Sequence, residues 1–291
     1  MSQERTGTLP RLQLVPEDSA PPDVAVIYEE TKNLLGIPWT AAIFQGYAMY
    51  PPLLRLAWAE LKPNVVTLEF RADARQLREQ AAAAMQSLYR PGYDRSQVER
   101  WGGDRHAIRT VCETFNFGNP KLLICARAVS RSLEGLRRPG PSDDTDLRPD
   151  KPPPGEEPIR HRRIEMVDPG RPPAVVAPIF RDILKTLGLP LVNSDYRALA
   201  RWPEYFHHAW EDLKVAILSS PYQQVRDALA EAGDAAADRL EEPVTISPDI
   251  LRREGVPASE LDNLVRVARL FADLLPGLIL NVEGFRRGVE G

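Results

Sequence analysis

The chain has 291 residues, 43% of them hydrophobic and 27% charged, the composition of an ordinary globular protein able to bury a substantial core. A net charge of −4 supplies no broad attraction to nucleic acid, and the longest apolar stretch, Leu270 to Val282, is too short and too interrupted to span a bilayer. The N-terminus Met-Ser-Gln-Glu-Arg lacks the apolar core of a signal peptide. The two cysteines, Cys112 and Cys125, make neither a disulfide scaffold nor a CxxC centre, so a cytoplasmic protein without a redox centre is expected.

In chain order the elements read as helices. After a tail over 1–14, Val24 to Leu35 is a helix closed by Gly36, a residue suited to the left-handed cap, with proline two residues on. Leu53, Ala57 and Leu61 then form an apolar stripe at helical spacing. Further helices are expected over Ala72–Leu88, Arg105–Phe115 and Pro120–Leu133, the last two separated by a loop. From Pro139 to Pro158 the chain holds seven of its 28 prolines among charges, a composition that opposes helix and burial and marks a linker over 136–163. Beyond it, Pro203 opens a helix striped by Tyr205, Ala209, Leu213 and Ile217. Helices over Gln223–Arg239, Ser259–Leu275 and Leu278–Arg287 complete the chain. No segment shows sustained period-two alternation.

The halves on either side of the linker are copies. Shifted by 152 positions (188 − 36), Gly36–Lys62 and Gly188–Lys214 share eight of 27 residues without a gap, including Pro38/Pro190, Pro51/Pro203 and Trp58/Trp210. Glycine, proline and tryptophan are too uncommon to keep register by composition alone. The expected architecture is therefore all-α, with tandem helical-bundle repeats over 15–135 and 164–291 forming a pseudo-dimer.

Asymmetry between copies points to a site. Apolar Ala41-Ala42-Ile43 of the first copy is matched by polar Asn193-Ser194-Asp195 of the second. Local pattern alone explains the polar run as a helix N-cap with an acidic first turn. Three further segments stand out: Ile37-Pro38-Trp39, the run Phe115-Asn116-Phe117-Gly118-Asn119-Pro120-Lys121, and Asn193 to Tyr196 with Trp202-Pro203. Together they resemble the signatures of the group I (DehI-type) 2-haloacid dehalogenases, and the similarity runs over most of the chain, duplication included.

That resemblance implies cofactor-independent hydrolysis of short 2-haloalkanoic acids to 2-hydroxyalkanoic acids, by direct attack of water on C2 with inversion. It assigns Asp195 as general base, chemistry that suits a carboxylate whose burial raises its pKa. Asn116 and Asn119, on the expected loop, would orient water or substrate. Ser194 and the N–H groups at the helix start would hold the substrate carboxylate. Trp39, through its indole N–H, would meet the halide, and Ala42, Asn193 and Tyr196 would complete the substrate pocket between the copies. The resemblance also implies a homodimer.

Three positions depart from the family pattern. Ala42 replaces a pocket phenylalanine. Asn193 is bulkier than in non-stereoselective members, which implies D-preference. Thr67 matches a family threonine, but Arg71 stands where a glutamate is expected. These departures motivate a second reading, a non-dehalogenating homologue that binds or hydrolyses another small carboxylate. No metal is expected: His207-His208 with Glu204, Glu211 and Asp212 at helical spacing reads as a solvated, ion-paired face.

Overall fold

A computed structural model describes residues 9–136 and 164–290, and the proline-rich segment singled out above as a linker lies outside them. Among the described residues the regular structure is entirely helical. After a short 3-10 turn at Glu17–Ser19, six α-helices precede the undescribed segment: α1 (Pro22–Leu35), α2 (Ala42–Tyr47), α3 (Pro51–Val65), α4 (Leu68–Leu88), α5 (Arg95–Arg100) and α6 (Arg105–Leu133). Six follow it in a similar succession of long and short: α7 (Ala177–Leu187), α8 (Ser194–Leu199), α9 (Pro203–Ile217), α10 (Ser220–Asp238), α11 (Pro248–Arg253) and α12 (Ala258–Glu290).

Local chemistry recurs at the matched positions. α1 ends on Gly36 at φ 71° and α7 on Gly188 at φ 64°, a left-handed conformation that a side chain would strain. Thr67 caps α4 by accepting from the Phe70 N–H, and Ser219 caps α10 by accepting from that of Tyr222. Trp58 Nε1 (2.7 Å) and Lys62 Nζ (2.9 Å) donate to Glu30, tying α3 to α1. Trp210 Nε1 (2.6 Å) and Lys214 Nζ (2.9 Å) do the same to Asp182, tying α9 to α7.

Two sequence expectations are corrected. The run from Phe115 to Lys121 is the middle of the unbroken helix α6, and the break expected near Pro276 is absent from α12. A proline inside a helix removes one hydrogen bond and costs about 3 kcal/mol. The surrounding burial exceeds that cost: Phe115, Leu122, Leu123 and Ile124 are each almost inaccessible and contribute roughly 1.5–3 kcal/mol apiece. The short helices α5 and α11 also went unread, because six residues carry too little periodicity.

α6 and α12 lie against each other in the most extensive helix–helix contact, and α4 and α10 pack on α6 and on one another. One hydrophobic core therefore runs through both halves. The N-terminal segment joins it as well, for the Val15 N–H donates to the Gln45 carbonyl at 3.1 Å and Leu12 packs on the cluster. No described helix is long and apolar enough to cross a membrane.

Candidate active site

The short helices α2 and α8 begin alike. Ala41 and Asn193 hold the N-cap positions in extended backbone, and neither uses its side chain as a cap. The N-cap explanation of Asn193 is thus not realised: its Oδ1 is buried without a partner. Nor does Asp195, in the first turn of α8, reach solvent. It is 2% exposed and faces a small cavity with about 30 Å³ of space open to the centre of a water molecule, enough for water to occupy.

Trp39, Ala41, Ala42 and Ile43 line one side of that cavity, and Asn193, Ser194 and Asp195 line another. Phe115, Asn119 and Leu122 of α6 contribute the floor, and Phe271, Leu274, Leu275 and Leu278 of α12 close the rest. Ile43 and Asp195, equivalent under the 152-residue shift, thus border the same space. The lining is apolar except for one corner built from Asn119, Asn193, Ser194 and Asp195.

Asn119 Nδ2 donates to Asp195 Oδ2 at 3.1 Å across the two halves. Burial of the carboxylate pushes its pKa up from 3.8 to about 6, although hydrogen bonds from its own N–H, the Asn119 amide and the Tyr196 N–H favour the charged form. Those backbone N–H groups therefore solvate Asp195. The helix-start N–H groups that the sequence offered to a bound carboxylate are thus already engaged by Asp195 itself.

The run Phe115 to Lys121, placed on α6, explains itself residue by residue. Phe115 packs on Trp39 with ring centroids 4.6 Å apart. Gly118 lets the Trp39 ring approach the helix, and Asn119 holds Asp195. Lys121 donates to the Leu35 carbonyl at the end of α1 at 3.0 Å, with its ammonium 3.4 Å from the Phe117 ring centroid. Leu35 leads directly into Gly36-Ile37-Pro38-Trp39, so Lys121 helps fix the pocket wall. Lys121→Met, which keeps the stem, is expected to lower unfolding free energy by about 1.5–3 kcal/mol in urea denaturation.

Two expected site residues sit elsewhere. Asn116 is buried but absent from the cavity lining: its Nδ2 donates to Glu283 Oε2 at 3.0 Å, and its Oδ1 has no partner. Tyr196 is fully buried, its hydroxyl accepting from Asn281 Nδ2 at 2.9 Å, and it borders a separate, larger cavity between α7, α9, α10 and α12. The loop expectation misled for Asn116, because on a helix the three-residue step from Asn116 to Asn119 leaves their side chains about 60° apart at 100° per residue, close to but not on one line. Thr67 caps α4, and Arg71 is half-buried on the same helix with Nη1 unpartnered; neither lines the cavity. Sequence reading missed the α12 wall, since Phe271, Leu274, Leu275 and Leu278 read as ordinary core and Pro276-Gly277 between them reads as a helix break. Among the described residues no group of three or more His, Cys, Asp or Glu could hold a metal ion, and His208 stacks on Trp101 at 4.1 Å.

Fold and site together define an all-helical protein with a small, mostly apolar cavity in which one buried carboxylate, oriented by an asparagine from the other half, is held near neutrality. Residues 38–185 match the family model described as halocarboxylic acid dehydrogenase DehI. An (R)-2-haloacid dehalogenase of Pseudomonas putida is 33% identical over 278 residues, covering 94% of this chain and 91% of its own length. A configuration-inverting 2-haloacid dehalogenase of Alcaligenes xylosoxydans xylosoxydans is 27% identical over 88% of this chain and 80% of its own. The solved structure of a D-2-haloacid dehalogenase in complex with L-LA superposes with a TM-score of 0.91 at 30% identity, over 99% of this chain and 100% of that one. The chain belongs to the DehI family.

Proposed function

We propose that this protein is a hydrolase of carbon–halide bonds that converts short 2-haloalkanoic acids to 2-hydroxyalkanoic acids. The observation that carries the reading is Asp195, buried in an apolar cavity, held by Asn119 and poised to ionise near neutrality. Water beside Asp195 gives its proton to the carboxylate as its oxygen bonds to C2. The carbon–halogen electron pair leaves with the halide, and attack opposite the leaving group inverts C2. The product is the hydroxy acid, and the proton on Asp195 is returned to solvent before the next turnover.

In this reading Ser194 and Asn193 receive the substrate carboxylate at the polar corner, and Trp39 offers its indole N–H to the departing halide. The apolar residues of α6 and α12 surround the alkyl group. Asn119 takes the orienting role considered for both asparagines, and Asn116 supports it from the adjoining turn of α6. We assign the D (R) enantiomer as substrate, supported by the names of the Pseudomonas putida relative and of the superposed structure together with the bulk of Asn193.

The chain is read as two tandem repeats forming a pseudo-dimer, supported by the shared residues and by the twin Trp–carboxylate–Lys contacts at Glu30 and Asp182. A homodimer and a cytoplasmic location are expectations carried over from the sequence.

Chloride and bromide release from separate D- and L-2-halopropionates tests the activity. Release from the D-acid, with lactate of inverted configuration, is expected. No release from either enantiomer would sink the dehalogenase reading in favour of a small-carboxylate homologue, and would direct attention to Arg71 and Ala42.

A further inference from the structure

Gly118 lies where α6 meets Trp39. A Cβ built there would stand 2.6 Å from Trp39 Cη2, 2.9 Å from Ile37 Cγ2 and 3.3 Å from Trp39 Cζ2. Carbon atoms rest at about 3.5–4.0 Å, so a methyl at residue 118 forces the indole to move. Most of its escape routes are closed. The Leu35 carbonyl is held by Lys121, and the Ile37 N–H donates to the Lys32 carbonyl at 3.0 Å. Pro38 restricts the backbone just before Trp39. Just after it, Thr40 Oγ1 donates to Glu17 Oε2 at 2.6 Å, and the Thr40 carbonyl accepts from Gln45 Nε2 at 2.8 Å. Phe115 occupies the space beside the ring. The remaining open side is the cavity itself, which Trp39 already lines.

We propose that Gly118 sets the size of acid that this enzyme accepts. With no side chain at residue 118, Trp39 lies close against α6 and leaves room for an alkyl group on the substrate's C2. Gly118 is a positioning residue, acting on substrate only through the indole. The proposal rests on the haloacid reading of the cavity.

The experiment compares bromide release from bromoacetate, 2-bromopropionate and 2-bromobutanoate in wild type, Gly118→Ala, Trp39→Phe and the double variant. Thermal stabilisation by the unreactive acids acetate, propionate and butanoate is measured alongside. Gly118→Ala is expected to lower kcat/KM for 2-bromobutanoate about tenfold or more relative to bromoacetate, the scale at which a crowded pocket discriminates one methylene. Butanoate should lose its stabilising effect before acetate does. Phenylalanine lacks the colliding Cη2 and Cζ2 atoms, so the double variant should move back toward the chain-length profile of Trp39→Phe alone, with only the Ile37 Cγ2 contact left to relieve. An equal loss on all three substrates, or no rescue in the double variant, would overturn the proposal. If Gly118→Ala fails to fold, Trp39→Phe alone must shift preference toward the longer acid, and an unchanged profile would count against Gly118. Absence of bromide release from wild type would remove the dehalogenase reading, while the stabilisation series would still report whether Gly118 controls acid size.

Discussion

Asp195→Asn is expected to lower halide release by about 10²–10⁴-fold, the usual contribution of a positioned general base, with little change in the circular dichroism of the folded protein. The asparagine keeps the size of the side chain and loses its ability to take a proton. In the wild type, activity should follow the ionised fraction of Asp195. Because burial raises its pKa to about 6, kcat/KM should climb roughly tenfold per pH unit below that value and level off above it. A profile already flat down to pH 4 would show that another group, or none, does the work assigned to Asp195. The same shift predicts a stability effect of opposite sense. A carboxyl whose folded pKa is raised contributes stability that is fully present below the unfolded value and is lost as pH rises through the folded one. Moving the pKa from 3.8 to about 6 corresponds to an order of 3 kcal/mol lost by pH 7. Asp195→Asn should therefore be more stable than wild type at pH 7–8, and the difference should vanish near pH 3.5. A buried carboxyl with a raised pKa thus destabilises, at neutral pH, the protein that holds it.

The largest stability loss is expected at Arg286→Met. Glu283 is 3% exposed, and its carboxylate accepts from Arg286 Nε and Nη2, both at 2.7 Å, and from Asn116 Nδ2 at 3.0 Å. Removing the guanidinium leaves a buried carboxylate with one neutral donor. Breaking such a pair costs about 3–5 kcal/mol, and the partial exposure of Arg286 places the expected value at the lower end. Urea unfolding at pH 7 measures it, and Arg286→Met combined with Glu283→Gln should recover much of the loss. A change below about 1 kcal/mol would mean that water replaces the guanidinium, so that the pair stabilises no more than a surface one. The pair lies within α12, and Glu283 in turn ties α12 to α6 through Asn116, one turn from Asn119, so the variant also tests how firmly the floor of the cavity is held.

Much of this protein was legible in its sequence because the signals are local. Gly36 and Gly188 close helices through their own backbone freedom. Pro51 and Pro203 open helices where no N–H is missed, and the apolar stripes repeat with the pitch of a helix. Repetition of these signals 152 residues apart is what the reading of a duplication rests on, and the polar run at 193–195 facing an apolar one at 41–43 singled out Asp195 as a candidate. Which groups would surround that carboxylate was decided only in the tertiary structure. Asn119 reaches Asp195 from 76 residues before it, and the α12 wall begins, at Phe271, as far beyond it along the chain. The choice between Asn116 and Asn119 turned on the rotation of a helix that its own glycine and proline appeared to forbid, and that helix persists because core packing outweighs one missing hydrogen bond. Gly118 reads in sequence as a breaker, yet its lack of a side chain matters for a ring brought in from another segment. Helix ends and periods depend on neighbours within a turn, so the sequence by itself determined them; a cavity is the space left between distant segments, and only their packing decided its shape and the charge state of the acid inside it.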